Sequence, residues 1–239
     1  MSDNSLNRDN IDIILKELAK EIKKRCGRNT SAEIILIGGA SILINYGFRE
    51  MTYDVDAIVN ATSSMKDAIN YIGDKYMLPK GWLNTDFIHT ESYSPKILEF
   101  STYYRTYSNT ISFRTITGEY LIAMKLRSAR KYKYDRSDIV GILMEQEALG
   151  DSITLGRIKK AVKDLYGSYN ILDAEIRHFI EGVMIEGNYK GIYDQIRKNE
   201  EETKNILLEY QRIRPRSLNS DNVNEIIDIL LKRKDKDNQ

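Results

Sequence analysis

Cysteine is nearly absent from this chain: Cys26 is the single one in 239 residues. That excludes an internal disulfide framework and any cysteine-built zinc site. Histidine is almost as scarce, and His89 and His178 are too few for a multi-histidine centre, so a metal would have to be held by carboxylates. Three prolines and fourteen glycines interrupt little of the chain, which argues against a many-turned sandwich and for helices. Charge of one sign is missing too: 36 Lys and Arg face 35 Asp and Glu. A polycation that coats nucleic acid by bulk attraction is excluded. With 41% hydrophobic residues the composition is also too apolar for a disordered chain. No run approaches the ~18 consecutive apolar residues of a membrane span, and the opening MSDNSLNRDN lacks the basic-then-apolar order of an export signal. The expectation is a soluble cytoplasmic protein.

What is present divides near residue 116. Before it, residues 10–26 place Ile11, Ile14, Leu15, Leu18 and Ile22 at helical spacing. AEIILIGG then reads as a strand stopped by Gly38-Gly39, ASILINYG as a short helix, and MTYDVDAIV as a second strand. Residues 64–77 look helical, and 96–107 and 110–116 read as two strands joined at Ser108-Asn109. After Gly118 nearly every window shows helical periodicity, enough for five or six helices. The class is α+β, with an α+β module over 1–116 and a helical region over 117–239.

Two elements in the first module carry chemistry. Gly38-Gly39-Ala40-Ser41 lies where a buried strand hands over to a helix; glycine admits a ligand close to the backbone, and helix-start N–H groups suit a phosphate. Alone, the pair is equally an ordinary tight turn. Asp54-Val55-Asp56 sets two carboxylates on one face of a strand and Val55 and Ala57 on the other. Like charges so placed need solvent, a basic partner or a divalent cation.

Taken together, GGASILINYGFREMTYDVDAIV resembles the signature of the nucleotidyltransferase superfamily with the polymerase-β-like fold, in which a glycine motif precedes a Dx[DE] strand by about this distance. The resemblance implies a small mixed β-sheet core flanked by helices and followed by a helical C-terminal region. It implies that Gly38, Gly39 and Ser41 hold a nucleoside triphosphate, and that Asp54 and Asp56 ligate Mg²⁺, as one ion or two. Glu99 and Asp86 are candidates for a third carboxylate.

Further on, Lys125 has Leu121, Ile122, Ser128 and Ala129 as helical neighbours, an uncharged stripe. A cation there seeks an anion, or else snorkels. Asp135 and Asp138 lie one turn apart before an apolar helix, as site residues or as a cap and its first turn. LIAMKLRSARKYKYDRSDIVGIL is similar to the AbiEii-type toxin branch of the superfamily and to its small relatives of unknown function, as is WLNTDF at 82–87. That likeness implies that Lys125 and Asp138 complete the cleft from the helical domain. Residues 117–140 hold six basic and three acidic residues with Tyr132 and Tyr134 interleaved, a composition suited to phosphates and bases, or simply a solvated basic face.

The function so implied is Mg²⁺-dependent transfer of an NMP from an NTP to an acceptor hydroxyl on RNA, tRNA or protein, extending to the toxin of a toxin–antitoxin pair with an antitoxin protein as partner. The alternative is a silent NTP- or RNA-binding module on the same fold.

Overall fold

The computed structural model describes residues 5–59, 62–215, 217–219 and 222–237. It divides into two compact units, Met1–Met124 with Gly156–Ile171, and Lys125–Leu155 with Leu172–Gln239.

The first unit is built on a mixed sheet. Strand β1 (Leu6–Asn7) is followed by helix α1 (Ile11–Cys26), which turns Ile14, Leu15, Leu18 and Ile22 inward at helical spacing and ends at Gly27. Next come β2 (Ala32–Leu36), α2 (Gly38–Asn45), β3 (Met51–Thr52) and β4 (Val55–Ile58). Helix α3 (Ser63–Lys75) starts at Thr62, whose hydroxyl accepts from the Met65 N–H at 3.3 Å, and β5 (Leu83–Asn84), β6 (Ser101–Tyr107) and β7 (Ile111–Ile116) complete the strands. The five-stranded sheet runs β5-β4-β2-β7-β6, with β2 antiparallel to β4 and parallel to β7. Ser108 and Asn109 both take positive φ (51° and 67°), the two left-handed residues that a tight β6–β7 hairpin requires.

Two expected strands are shorter than their sequence suggests. The run over 51–59 breaks into β3 and β4, with Tyr53 and Asp54 between them. Residues 95–100 form a 3₁₀ turn, because Pro95 fixes its own φ in the helical range and opens the turn, so β6 begins only at Ser101.

Six helices follow among the described residues: α4 (Gly118–Ser128), α5 (Asp135–Ala148), α6 (Leu155–Tyr166), α7 (Ala174–Glu186), α8 (Tyr189–Ile213) and α9 (Val223–Asp237). Most of α6 rejoins the first unit, sewn in by polar contacts. The Ser94 hydroxyl donates to Leu165 O (2.8 Å), Tyr166 Oη to Ser92 O (2.7 Å) and Tyr120 Oη to Asp164 (2.8 Å). In the second unit α5 buries Ile139, Val140, Ile142 and Leu143, while Leu207, Val223 and Ile227 form a small apolar cluster between α8 and α9.

Trp82, the sole tryptophan, is buried with its indole N–H donating to Ile69 O at 2.9 Å. A Cβ at Gly73 in α3 would stand 2.8 Å from Trp82 Cδ1. Gly73→Ala gains about 0.5–1 kcal/mol of helix propensity, yet overpacking against a rigid ring costs about 1–3 kcal/mol. The variant is expected to melt lower than the parent and to shift tryptophan emission to the red; an unchanged melt contradicts this packing.

Candidate active site: a glycine turn, two carboxylates and a buried lysine

In the first unit the glycine turn and the carboxylates are a matter of close approach. Gly38 has φ +57°, left-handed backbone that favours glycine, and a Cβ there would lie 3.3 Å from Asp56 Oδ2. A Cβ at Gly39 would lie 2.7 Å from Thr52 Oγ1 and 2.9 Å from Arg49 Nη2. The Ile37 N–H donates to Asp56 O at 2.8 Å, so the turn and the second carboxylate are fixed to each other through backbone. Asp54 is exposed just ahead of β4, Asp56 is half-buried on it, and Val55 and Ala57 point into the core. The Thr52 hydroxyl donates to Asp54 O (3.0 Å) and approaches Asp54 Oδ1 (3.4 Å), which orients the first carboxylate.

Ser41 is placed differently from a phosphate contact. It is fully buried, and its hydroxyl accepts from the Ile116 N–H at 3.0 Å, so it braces α2 against β7. Asp86 and Glu99 are both exposed and both sit in 3₁₀ turns, not on strands. Among the described residues no cluster of three or more Asp, Glu, His or Cys side chains forms a metal centre. On the strand beside β4 the register neighbour of Asp56 is Asn84.

The second unit holds a buried ion cluster of its own. Lys125 Nζ bridges Asp135 Oδ1 (2.8 Å) and Asp138 Oδ2 (2.7 Å), and the two carboxylates are 0% and 1% exposed. Asp135 takes most of the bonding. Arg130 grips it with Nε (3.0 Å) and Nη2 (3.2 Å) and adds its backbone N–H (3.1 Å), and Ser128 Oγ donates at 3.0 Å. Arg130 reaches back because Ala129, at φ +39°, breaks α4 in a left-handed conformation. Burial alone would raise the Asp135 pKa, but Lys125 and the forked Arg130 hold it well below the usual carboxylate range. Neither aspartate is a cap: α5 begins at Asp135, with Tyr134 before it.

A family model described as "Nucleotidyltransferase of unknown function (DUF6036)" matches residues 14–186. The chain belongs to this family. No curated protein and no solved structure matches it. The family match spans the glycine turn, Asp54 and Asp56, and the Lys125 cluster, and it stops before α8. In a nucleotidyltransferase the test for Mg²⁺ is whether one or two carboxylates stand where substrate phosphate and water can supply the remaining ligands. Asp54, exposed, and Asp56, with Oδ2 against a glycine that offers no side chain, fit that requirement.

Two features of the second unit were not legible in the sequence. The basic stripe is largely paired within the second unit: besides Lys125 and Arg130, Lys131 bridges Asp228 (2.9 Å) and Arg136 bridges Glu175. Its tyrosines are engaged too, Tyr134 beneath Arg197 at 3.6 Å and Tyr132 against the α8–α9 cluster. The other feature is Glu200 on α8. Its Oε1 accepts from the Arg136 (3.1 Å) and Ser137 (3.3 Å) N–H groups and so caps α5 from another helix, while its buried Oε2 has no hydrogen-bond partner.

Burial, reinforced by the nearby Asp138 charge, raises the Glu200 pKa from 4.5 to about 7 against the bonds from Ser137 and Arg136. The folded chain therefore holds a proton there that the unfolded chain has lost, and this group's contribution to stability falls as pH rises from 4.5 to about 7. Glu200→Gln should flatten that component. Melting curves from pH 4.5 to 8 should show the parent losing more stability than the variant; parallel profiles contradict the assignment.

Proposed function

We propose that the protein is a Mg²⁺-dependent nucleotidyltransferase that moves an NMP from an NTP to an acceptor hydroxyl. The observation that carries this is the approach of Asp56 Oδ2 to Gly38, 3.3 Å from where a Cβ would stand, which sets a carboxylate beside the glycine turn. The acceptor oxygen forms a bond to the α-phosphorus, the bond from that phosphorus to the bridging oxygen breaks, and pyrophosphate leaves; the hydroxyl proton passes to solvent. Asp54 and Asp56 hold the metal, and the Gly38-Gly39 backbone seats the triphosphate. When bound, Mg²⁺ neutralises and orients the phosphates. Lys125 and Asp138 enter through the resemblance to the AbiEii-type branch, the lysine for charge balance and the aspartate to orient it at 2.7 Å. The same resemblance supports RNA or tRNA as acceptor and a toxin paired with an antitoxin protein. Since the stripe over 125–136 is mostly paired within the second unit, the acceptor is to be identified by assay and not by charge.

A second reading, a module that binds NTP without transferring it, is favoured by one observation: no third carboxylate joins Asp54 and Asp56 among the described residues.

The test is incubation of the full chain with each labelled NTP, Mg²⁺, and total RNA, purified tRNA or protein acceptors. Label should enter one acceptor class, and Asp54→Asn and Asp56→Asn should each lower transfer by about 100-fold or more, the scale of losing a preorganised charge contact in catalysis. Transfer that survives both substitutions removes these residues from the mechanism. Binding of NTP with no transfer to any acceptor selects the silent module.

A further inference from the structure

Between Gly38 and Asp56 the chain has a single cation, Arg49, and the structure packs it onto the turn. Its Nη2 would stand 2.9 Å from a Cβ at Gly39, and Thr52 Oγ1 would stand 2.7 Å from the same point. The glycine therefore leaves room for the guanidinium against the turn. The Arg49 segment is tethered on both sides. Upstream, Arg8 donates to Tyr46 O; downstream, β3 pairs with β1 through Leu6↔Thr52 and Asn7↔Met51, and Arg49 Nε itself donates to Met51 O at 3.2 Å. A half-buried guanidinium so held loses little side-chain entropy when it accepts a ligand.

The charge pattern says which ligand. Asp54 and Asp56 repel a polyphosphate, and metal on the carboxylates offsets only part of that repulsion. A planar fork of N–H donors at the glycine turn matches phosphate oxygens in pairs, which a lysine point charge does not. We propose that Arg49 binds the polyphosphate chain of the nucleotide at the Gly38-Gly39 turn, with Thr52 fixing Asp54 beside it. This rests on the nucleotidyltransferase reading and adds to it the residue that recognises the triphosphate.

The experiment is calorimetric binding of each NTP with Mg²⁺, and of inorganic tripolyphosphate, to the full chain and to Arg49→Gln and Arg49→Lys. Charge-assisted hydrogen bonds of this kind correspond to about a 10- to 100-fold loss of affinity for both ligands in Arg49→Gln, with Arg49→Lys between it and the parent. The affinity of the parent should also fall more steeply with added KCl than that of Arg49→Gln. Because Arg49 also holds Met51 O, a second measurement uses the unsubstituted protein: arginine-directed dicarbonyl labelling read by mass spectrometry, where tripolyphosphate should protect Arg49. Equal affinity in Arg49→Gln and parent, or unchanged Arg49 labelling at saturating tripolyphosphate, overturns the proposal while leaving the nucleotide reading intact. A parent that binds neither tripolyphosphate nor any NTP overturns both.

Discussion

A carboxylate oxygen 3.3 Å from the point where a side chain would begin is the constraint on which the first unit turns. Position 38 favours glycine by conformation and leaves a side chain little space, and the neighbouring Gly39 is filled from outside by Thr52 and Arg49. The backbone bond from Ile37 to Asp56 then ties the end of β2 to β4, so the turn, the short α2 and the two aspartates move as one piece. Much else in the unit serves that piece: Ser41 pins α2 to β7, and the two-residue ribbon of β1 and β3 secures the loop that carries Arg49.

The second unit is organised by a different constraint, the cost of burying charge. Lys125, Asp135 and Asp138 are each less than a tenth exposed, and such ions persist only when nearly every donor and acceptor is engaged. Arg130 and Ser128 complete the shell of Asp135. Glu200 sits next to this cluster under the opposite regime, buried with one oxygen unpartnered, and it carries its proton near neutrality. Two acids on neighbouring helices are thus driven apart in protonation, one by cations and one by their lack.

The legible parts of the fold were those decided locally. The hairpin at Ser108-Asn109 and the uncharged stripe around Lys125 each depend on a few adjacent residues, whereas the strand read over 51–59 breaks at Tyr53-Asp54 and leaves Asp54 ahead of β4. What escaped the sequence depends on distant partners or on a single backbone choice. Asp135, which reads as a cap, is the centre of the cluster because Ala129 takes a left-handed φ and returns Arg130 to it. The resemblance implies that Ser41 is a phosphate contact, but the pitch of a short helix turns it inward. The basic stripe reads as a cationic face because Asp228 and Glu175, which pair with it, come from helices far along the chain. Glu200 gave no signal at all, being one acid among many on a highly charged helix.

The return of α6 to the first unit makes the chain cross between the two units three times, after Met124, after Leu155 and after Ile171. No single cut separates them. A truncation near Ser128 removes Leu165 and Asp164, the partners of Ser94 and Tyr120, and so leaves the first unit with open polar seams. In recombination or gene fusion, a cut at any one point of the chain would therefore leave part of one unit joined to the other.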